Sequence, residues 1–267
     1  MGGDGIRMLV LVKQVPDMEH VRFDAERGAI DRASAGVEIN PFDLNALEAA
    51  RWIVSSIGGS FSALSMGPES AEAALRDAVA LGASGATLLT HAAFRGADTL
   101  STARTLAAAI RKLGPFDLVI AGEKSVDSDT GQVGAMTAGL LGIACVTGVE
   151  RVRGTSGDRM LLSAERWGRS CDFELRYPGL ITVTKNLNTP APASLSGKLR
   201  AAKTPIARMG LEELGLSVET VGAAGSPTRV VKVTIPGEPG RDGAKWEGDL
   251  PAALDELSKA LAARRIV

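Results

Sequence analysis

The stretch LVIAGEKSVDSDTGQVG, residues 118–134, passes from an apolar run through a turn of small and acidic residues into the start of a helix. The same alternation recurs along the first part of the chain, and it is typical of a parallel sheet covered by helices. It predicts strands over Arg7–Lys13, Ser60–Met66, Ala86–Thr90, Leu118–Ala121 and Cys145–Val149, and helices over Leu44–Ser56, Ser70–Leu81, Thr99–Leu113 and Thr130–Leu141. We therefore expect an α/β fold with an open, mostly parallel sheet and helices on both faces.

Acidic residues precede these predicted helices, and their carboxylates can accept hydrogen bonds from the unpaired amides of a first turn. They are Asp43, Glu69, Asp98 and Asp129.

The pattern changes after Val149 to shorter alternating segments. Antiparallel hairpins at the edge of the sheet are predicted from Val152, Met160–Ala164 and Cys171–Arg176, which are separated by Gly154–Gly157 and Gly168. A last strand, Leu180–Thr184, leads into Asn186–Lys203, a Pro- and Ala-rich segment with little periodicity that is longer than an ordinary connection.

The remainder of the chain predicts isolated elements. They are one helical turn at Leu211–Leu214, a strand at Arg229–Ile235 and an amphipathic helix at Pro251–Ala263. We expect three parts: an α/β domain over residues 1–184, a segment over 185–204 that something outside the fold uses, and an extended C-terminal arm over 205–267 that packs on a partner.

Composition excludes several function classes. The 267 residues are 45% hydrophobic and carry a formal net charge of -1, so no overall positive field attracts nucleic acid or an anionic membrane. Apolar runs such as Met8–Val12 are far shorter than the roughly 20 residues of a membrane-spanning helix. Residues 1–7 contain no apolar signal core, and Cys145 and Cys171 are the only cysteines, so a cytoplasmic protein without membrane insertion is expected.

Motifs for side-chain catalysis are absent from the sequence. There is no Gly-x-Gly-x-x-Gly after the first strand, no Walker loop, no Gly-x-Ser-x-Gly and no metal-ligand cluster. His20 and His91 lie in unrelated contexts, and surface or structural roles fit them best. We predict neither a catalytic residue nor a metal site.

Loops at the ends of the predicted strands are the candidate binding site, because ligands of open parallel sheets lie at the carboxyl ends of the strands. The loops are Lys13–Asp17, Asn40–Asp43, Met66–Pro68 and Gly122–Gly134. The last can bind a phosphate with backbone amides at a helix N-terminus. Alternatively, Asp129 and Gln132 form only a capping box there. Because Asp127 and Asp129 would repel a phosphate, their carboxylates are expected to hold the loop's own amides.

These loops, in this order, resemble those of electron transfer flavoprotein β subunits. The similar segments are Val12–Asp17 (VKQVPD), Ile39–Phe42 (INPF), Asn45–Ala49 (NALEA), Ala78–Ala83 (AVALGA) and Asp127–Gly142. The resemblance runs from Met8 to Val183 and resumes over Leu187–Lys203. It implies an adenine-nucleotide-binding, Rossmann-like domain and a heterodimer with an α subunit that carries FAD. Such a pair accepts electrons from dehydrogenases and passes them to another flavoprotein or a quinone reductase, as a carrier more than as a conventional enzyme.

The resemblance also implies which residues contact the nucleotide. They are Leu11, Asn40, Pro41, Phe42, Asp43, Met66, Gly122, Glu123, Lys124, Ser125, Val126, Asp127, Ser128, Asp129, Thr130, Gly131, Gln132 and Val133. Most relatives hold AMP, whereas electron-bifurcating members hold a second FAD that splits the electrons of NADH. VKQVPD, Phe94–Thr99 (FRGADT) and Asp129–Gly134 resemble the bifurcating branch, and Ala135–Gly139 resembles the AMP branch. Gly131 and Val133 leave room beside the phosphate, which favours FAD, with AMP as the alternative.

Leu187–Lys203 resembles the family's recognition loop, in which a leucine, here Leu195, enters an apolar pocket of a partner dehydrogenase of the acyl-CoA type. A buried leucine contributes about 1.5–3 kcal/mol, which suits a transient anchor. Thr189, Ala191 and Pro192 stand where relatives have Glu, Arg and Tyr, so the partner's identity stays open. An ordinary surface leucine is the alternative.

Two other function classes share this type of fold. An ATP-dependent adenylating or hydrolysing enzyme would carry a Ser-Gly-Gly-x-Asp-Ser loop after the first strand, which Lys13–Asp17 lacks. A nucleotide-sensing module would need neither Asn186–Lys203 nor the C-terminal arm.

Overall fold

The computed structural model describes residues 5–17, 22–24, 29–31, 36–229, 231 and 248–266. The strands are β1 (Ile6–Leu11), β2 (Gln14–Pro16), β3 (Arg22–Asp24), β4 (Ala29–Asp31), β5 (Val37–Ile39), β6 (Gly59–Met66), β7 (Ala86–Leu89), β8 (Leu118–Gly122), β9 (Ala144–Ser156), β10 (Arg159–Arg166), β11 (Arg169–Arg176), β12 (Gly179–Val183) and β13 (Ile206–Met209). The α-helices are α1 (Pro41–Ile57), α2 (Glu72–Ala80), α3 (Thr99–Leu113), α4 (Val133–Leu141), α5 (Leu195–Lys203), α6 (Leu211–Leu214) and α7 (Leu250–Ala263). Short 3₁₀ turns cover Glu69–Ala71, Ala92–Phe94 and Val218–Thr220.

Within the described residues, the main sheet has nine strands in the order β11-β10-β9-β12-β8-β1-β6-β7-β13. The strands from β9 to β13 in this order are parallel, and β10 and β11 extend the sheet as antiparallel strands. The chain passes from β1 through β6 to β7 on one side, and then returns to place β8 on the other side of β1. The strand order therefore reverses between β1 and β8. Separate two-stranded antiparallel pairs join β2 to β5 and β3 to β4.

Two apolar cores lie on opposite faces of this sheet. Met8 and Val10 of β1 belong to the first core, together with residues of α1 and α2. Leu9 and Leu11 belong to the second core, together with residues of α3 and α4. Alternate residues of β1 thus point to opposite faces, as a strand requires. The predicted α/β fold, with a mostly parallel sheet and helices on both faces, is confirmed.

Helix α1 begins before the predicted start. Pro41 occupies its first turn, where the fixed φ of proline suits a helix and its missing N–H costs nothing. Asp43 is therefore inside the helix and does not cap it, contrary to the prediction. A 3₁₀ turn leads into α2, and Glu69 makes no side-chain cap among the described residues. The Asp98 cap of α3 is confirmed, since its carboxylate accepts the Ser101 amide at 2.9 Å.

Helix α4 begins at Val133, three residues later than predicted. Asp129 and Gly131 have φ of 56° and 63°, in the left-handed region that a right-handed helix cannot contain. Gln132 is the N-cap residue, so the predicted capping box of Asp129 and Gln132 is wrong.

The predicted hairpins are confirmed. Gly157 and Gly168 turn the chain with φ of 60° and 74°. The predicted segments around Val149 and Val152 are one continuous strand, β9, so Gly154 lies within a strand and not in a turn. Strand β12 is interior, between β9 and β8.

The chain after Val183 differs from the expected loop and arm. Ser194 caps a helix, α5, by accepting the Gly197 amide at 3.1 Å. Arg200 of α5 donates to the Val79 carbonyl at 2.6 Å and so joins α5 to the end of α2. Strand β13 then adds to the sheet beside β7. One compact unit runs to residue 231, well past the expected boundary at residue 184.

The predicted helical turn Leu211–Leu214 is confirmed as α6. The predicted strand Arg229–Ile235 falls almost wholly outside the described residues. In the second unit, residues 232–267, the predicted amphipathic helix is confirmed as α7. Its exposed leucines are Leu250, Leu254 and Leu257. None of the described helices is both long enough and apolar enough to cross a membrane.

Candidate functional site

A crevice of about 1300 Å³ lies at the carboxyl ends of β1, β6, β7 and β8. This is the edge of the sheet where the strand order reverses, the usual ligand position in such folds. Its volume exceeds the roughly 300–1,000 Å³ of common small-molecule pockets.

Most of the predicted site residues line this crevice. They are Leu11, Asn40, Asp43, Met66, Gly122, Glu123, Lys124, Ser125, Ser128, Thr130, Gly131, Gln132 and Val133. The others lie outside its wall: Pro41, Phe42, Val126, Asp127 and Asp129. Phe42 instead lines a neighbouring recess of about 410 Å³.

The loop after β8 is held by side-chain ion pairs. Lys13 pairs with Asp127 at 2.7 Å, and Lys124 pairs with Asp129 at 2.7 Å. The prediction that these carboxylates hold the loop's own amides is therefore wrong, because each accepts from an ammonium group that is a stronger partner. Burial raises the pKa of Asp127, but hydrogen bonds from Lys13 and Ser125 outweigh burial and leave the pKa below its ordinary value.

The N-terminus of α4 forms part of the crevice wall through Val133 and Gly134. Among the described residues, no side chain caps the first turn of α4, and this turn contains no acidic residue. The first-turn amides of a helix lack helical acceptors and carry partial positive charge. This part of the wall is therefore suited to an anion such as a phosphate.

Asn40 and Asp43 are almost fully buried, with 1% and 6% of their surface exposed. The Lys13 amide donates to Asp43 Oδ2 at 2.7 Å, and the Gly122 amide donates to Oδ1 at 3.2 Å. Asn40 Nδ2 donates to the Lys124 carbonyl at 2.8 Å, and Asn40 Oδ1 accepts the Val126 amide at 3.2 Å. Burial raises the pKa of Asp43 to about 7, although hydrogen bonds from the Lys13 amide, the Asn40 side chain and the Gly122 amide oppose the rise. The two side chains therefore contact the neighbouring loops.

Glycine is required at position 122 for this arrangement. A Cβ atom there would lie 2.3 Å from Asp43 Oδ1, closer than any van der Waals contact allows.

The far end of the crevice contains residues that were not among the predicted nucleotide contacts, although Phe94–Thr99 was singled out as resembling the bifurcating branch. They are His91, Phe94, Arg95, Asp98, Leu106 and Thr228. Thr228 donates from its amide and its hydroxyl to Asp98 Oδ2, at 3.1 and 2.8 Å. The crevice residues from His91 to Asp98 follow the carboxyl end of β7, where ligands of parallel sheets usually lie, so the position of the predicted strand could have indicated them. Thr228 is 130 residues away in sequence, and no local pattern marks it.

Leu195 lies outside the crevice, as the first residue of α5. It is 76% exposed, and Leu199, one helical turn later, is 59% exposed. Residues four apart share a helix face, so the two leucines form one apolar stripe. The segment from Lys185 to Thr204 contains four basic residues and no acidic residue.

Within the residues that the structure describes, no group of three or more His, Cys, Asp or Glu side chains could hold a metal ion.

Comparisons with known proteins agree on one family. The model of the electron transfer flavoprotein domain matches residues 28–214. The chain is 38% identical to the electron transfer flavoprotein subunit beta of Thermoanaerobacterium thermosaccharolyticum over 263 residues, which cover 98% of this chain and 100% of that protein. It is 39% identical to subunit CarD of the caffeyl-CoA reductase-Etf complex of Acetobacterium woodii, over 86% of this chain and 88% of that protein. It is 38% identical to protein FixA of Bradyrhizobium diazoefficiens, over 85% of this chain and 82% of that protein.

Proposed function

The chain belongs to the electron transfer flavoprotein family and acts in electron transfer as a β-subunit homologue, and we propose that it does so in a heterodimer with an FAD-carrying α subunit. The pair accepts electrons from a dehydrogenase or from NADH and passes them to a flavoprotein or quinone reductase. The alternatives, an ATP-dependent enzyme and a nucleotide-sensing module, are not favoured by these relatives.

We propose that the crevice of this chain binds an adenine nucleotide and that this nucleotide is FAD. The observation that carries this proposal is the length of the crevice, which continues from the N-terminus of α4 past β7 to Thr228. AMP would leave the far end empty, whereas FAD has a second half to fill it.

The residues present fit such a group. The first-turn amides of α4 suit its phosphates, and apolar walls suit its ring systems. These walls are formed by Leu11, Leu64, Met66, Phe94 and Leu106. A bound flavin supplies the electron chemistry, while these residues orient it and set the polarity around it. Two flavins in one heterodimer would permit bifurcation of the electrons of NADH.

Docking of a dehydrogenase is assigned to residues 185–204, with Leu195 as the anchor. Support comes from the exposure of Leu195 and Leu199 on one face of α5. Because the relative from Acetobacterium woodii belongs to a caffeyl-CoA reductase complex, an acyl-CoA-type dehydrogenase is the proposed partner class. Of the predicted arm, residues 205–267, only the part in the second unit, residues 232–267, is proposed to pack on the α subunit, through the exposed leucines of α7.

Flavin stoichiometry of the heterodimer tests the cofactor proposal. Two FAD per pair support it, whereas one FAD with one AMP assigns AMP to this crevice. Thr102 lines the far end of the crevice, so Thr102→Trp should remove one FAD and leave AMP binding intact. Thr155→Trp, on β9 and outside the crevice wall, is the control and should retain both flavins. A colourless monomer that hydrolyses ATP would overturn the whole assignment.

A further inference from the structure

Asn40 and Asp43 connect the first turn of α1 to the two loops that border the crevice. Asp43 bonds to the amide of Lys13 after β1 and to the amide of Gly122 at the end of β8. Asn40 bonds further along the second loop, to the Lys124 carbonyl and the Val126 amide. These strands are adjacent in the sheet, and the strand order reverses between them.

Each side chain has the polarity that its backbone partners require. Both backbone partners of Asp43 are N–H donors, and a carboxylate offers an acceptor to each of them, while the Asn40 side chain also hydrogen-bonds to this carboxylate. The partners of Asn40 are one carbonyl and one N–H, and a carboxamide offers one donor and one acceptor. Exchange of either residue for its isosteric counterpart would set two donors or two acceptors against each other inside a buried site.

We propose that Asn40 and Asp43 are positioning residues that hold the two strand-exit loops at the spacing an adenine nucleotide requires, an inference that rests on the proposed function of the crevice. Lys13 and Gly122 both line the crevice wall. A shift of either loop therefore changes the shape of the site directly.

The ionisation of Asp43 gives this role a distinctive pH dependence. From the loop after β1, Lys13 is the charged side chain that faces Asp43 within the described residues, and Asp127 pairs with it. From α1 the facing side chain is the neutral Asn40, and from β8 the facing group is the Gly122 amide. Protonation replaces one acceptor oxygen with a hydroxyl, so the contact with the two amides should weaken as the pH falls below about 7.

Binding of AMP to the heterodimer, prepared without a nucleotide in the crevice, tests the proposal. AMP is the probe because AMP and FAD share adenine, ribose and phosphate. Asp43→Asn should weaken AMP binding about tenfold at pH 8, the factor expected for loss of a hydrogen bond to a charged group. Asn40→Asp should weaken it similarly. Protonation of AMP itself is common to all variants and cancels in the affinity ratios.

Asp117→Asn is the matched control. Asp117 Oδ2 accepts the Arg7 amide at 2.8 Å, at the opposite end of the same two strands. This variant should bind AMP like the wild type at every pH. The ratio of wild-type affinity to Asp43→Asn affinity should shrink towards one at pH 6. A ratio near one at pH 8 would overturn the proposal.

Hydrogen exchange of the nucleotide-free wild-type heterodimer decides the case if a variant does not assemble. At pH 8 the Lys13 and Gly122 amides should be protected as strongly as the Arg7 amide, which Asp117 holds. Free exchange of the Lys13 and Gly122 amides at pH 8 refutes the role of Asp43. Failure of both wild type and Asp117→Asn to bind AMP or FAD refutes the nucleotide site itself, a result distinct from loss of binding in the variants alone.

Discussion

Replacement of Gly134 by alanine would test whether the close approach of α4 to β12 places the N-terminus of α4 in the crevice wall. A Cβ atom at Gly134 would lie 2.4 Å from Thr182 Cγ2, against an optimum of about 3.5–4.0 Å between carbon atoms. Thr182 cannot rotate freely to relieve this contact, because its Oγ1 accepts the Gly148 amide at 3.0 Å. Relief requires a shift of α4 or loss of that hydrogen bond. Overpacking of this kind costs about 1–3 kcal/mol.

Gly139 provides the control within the same helix. No heavy atom of the described chain outside the helix itself lies within 4 Å of a Cβ built there. Gly139→Ala should therefore stabilise the protein by about 0.5–1 kcal/mol, because alanine loses less backbone entropy in a helix than glycine does. Thr182→Ser removes Cγ2 and keeps the hydroxyl, so the double variant Gly134→Ala/Thr182→Ser should regain most of the stability that Gly134→Ala loses.

Thermal unfolding of the heterodimer and AMP affinity are the two measurements. For a domain of this size, 1 kcal/mol changes Tm by about 2–4 °C. Gly134→Ala should lower both Tm and AMP affinity, and the added Thr182→Ser should restore both. If Gly134→Ala behaves like Gly139→Ala, or if Thr182→Ser restores nothing, the contact with β12 does not position α4.

Three further outcomes are expected. Leu195→Ala should raise the KM for the partner dehydrogenase about tenfold or more at unchanged kcat, because a leucine buried in the partner's pocket contributes about 1.5–3 kcal/mol. The control is Leu161→Ala, at a residue 46% exposed on β10, and it should change neither KM nor kcat. Asp98→Ala removes both the α3 cap and the Thr228 contact, so it should lower the free energy of unfolding by about 1–2 kcal/mol and speed hydrogen exchange near Thr228. Asp98→Asn keeps an oxygen for the cap, so it should lose mainly the Thr228 contact. Asp43 has a pKa of about 7 in the folded protein, above its ordinary value of 3.8, so the folded state binds a proton that the unfolded state has released. The free energy of unfolding should therefore fall by roughly 4 kcal/mol as the pH rises from 3.8 to about 7. In a series of denaturant titrations at different pH, Asp43→Asn should lack this decline.

The sheet and its covering helices were predictable because buried apolar residues recur about every 2 positions in a strand and about every 3.6 positions in a helix. Helix α3 matches its predicted bounds, since Asp98 marks its start and Gly114 and Pro115 follow its end. The strand order was not predictable from these periods. Interior strands such as β12 and β8 are apolar on both faces, so their pattern does not say which neighbours they pair with.

Helix starts were less predictable because the same residue types serve several roles. Asp43 precedes an apolar run as a cap would, yet its carboxylate lies inside the protein and accepts two amides from distant loops. Such partners are invisible in local sequence. Thr130 could begin a helix by composition, but Gly131 in the left-handed region delays α4 to Val133.

Helix α5 was missed for a different physical reason. It packs on α2 through the small buried residues Gly197 and Ala201, and its leucines face solvent. A search for large apolar residues at helical spacing therefore selects the exposed side of α5 and not the side that packs on α2. Ser194, followed three residues later by the amide that it caps, was the one available signal. Strand β13 has only four residues and depends on β7, more than a hundred residues away, for its pairing.

The electrostatics of the crevice indicate which groups hold an anion there. Lys13 and Lys124 lie where a phosphate could bind, but Asp127 and Asp129 already neutralise them at 2.7 Å. A phosphate gains little from a lysine that must first leave such a partner. The first turn of α4 contains no acidic side chain that would repel an anion, and the helix fixes the orientation of its amides. At the proposed nucleotide site, we therefore expect affinity for the phosphate to come mainly from backbone amides and to depend on how the contacts of Gly134, Asn40 and Asp43 place that backbone.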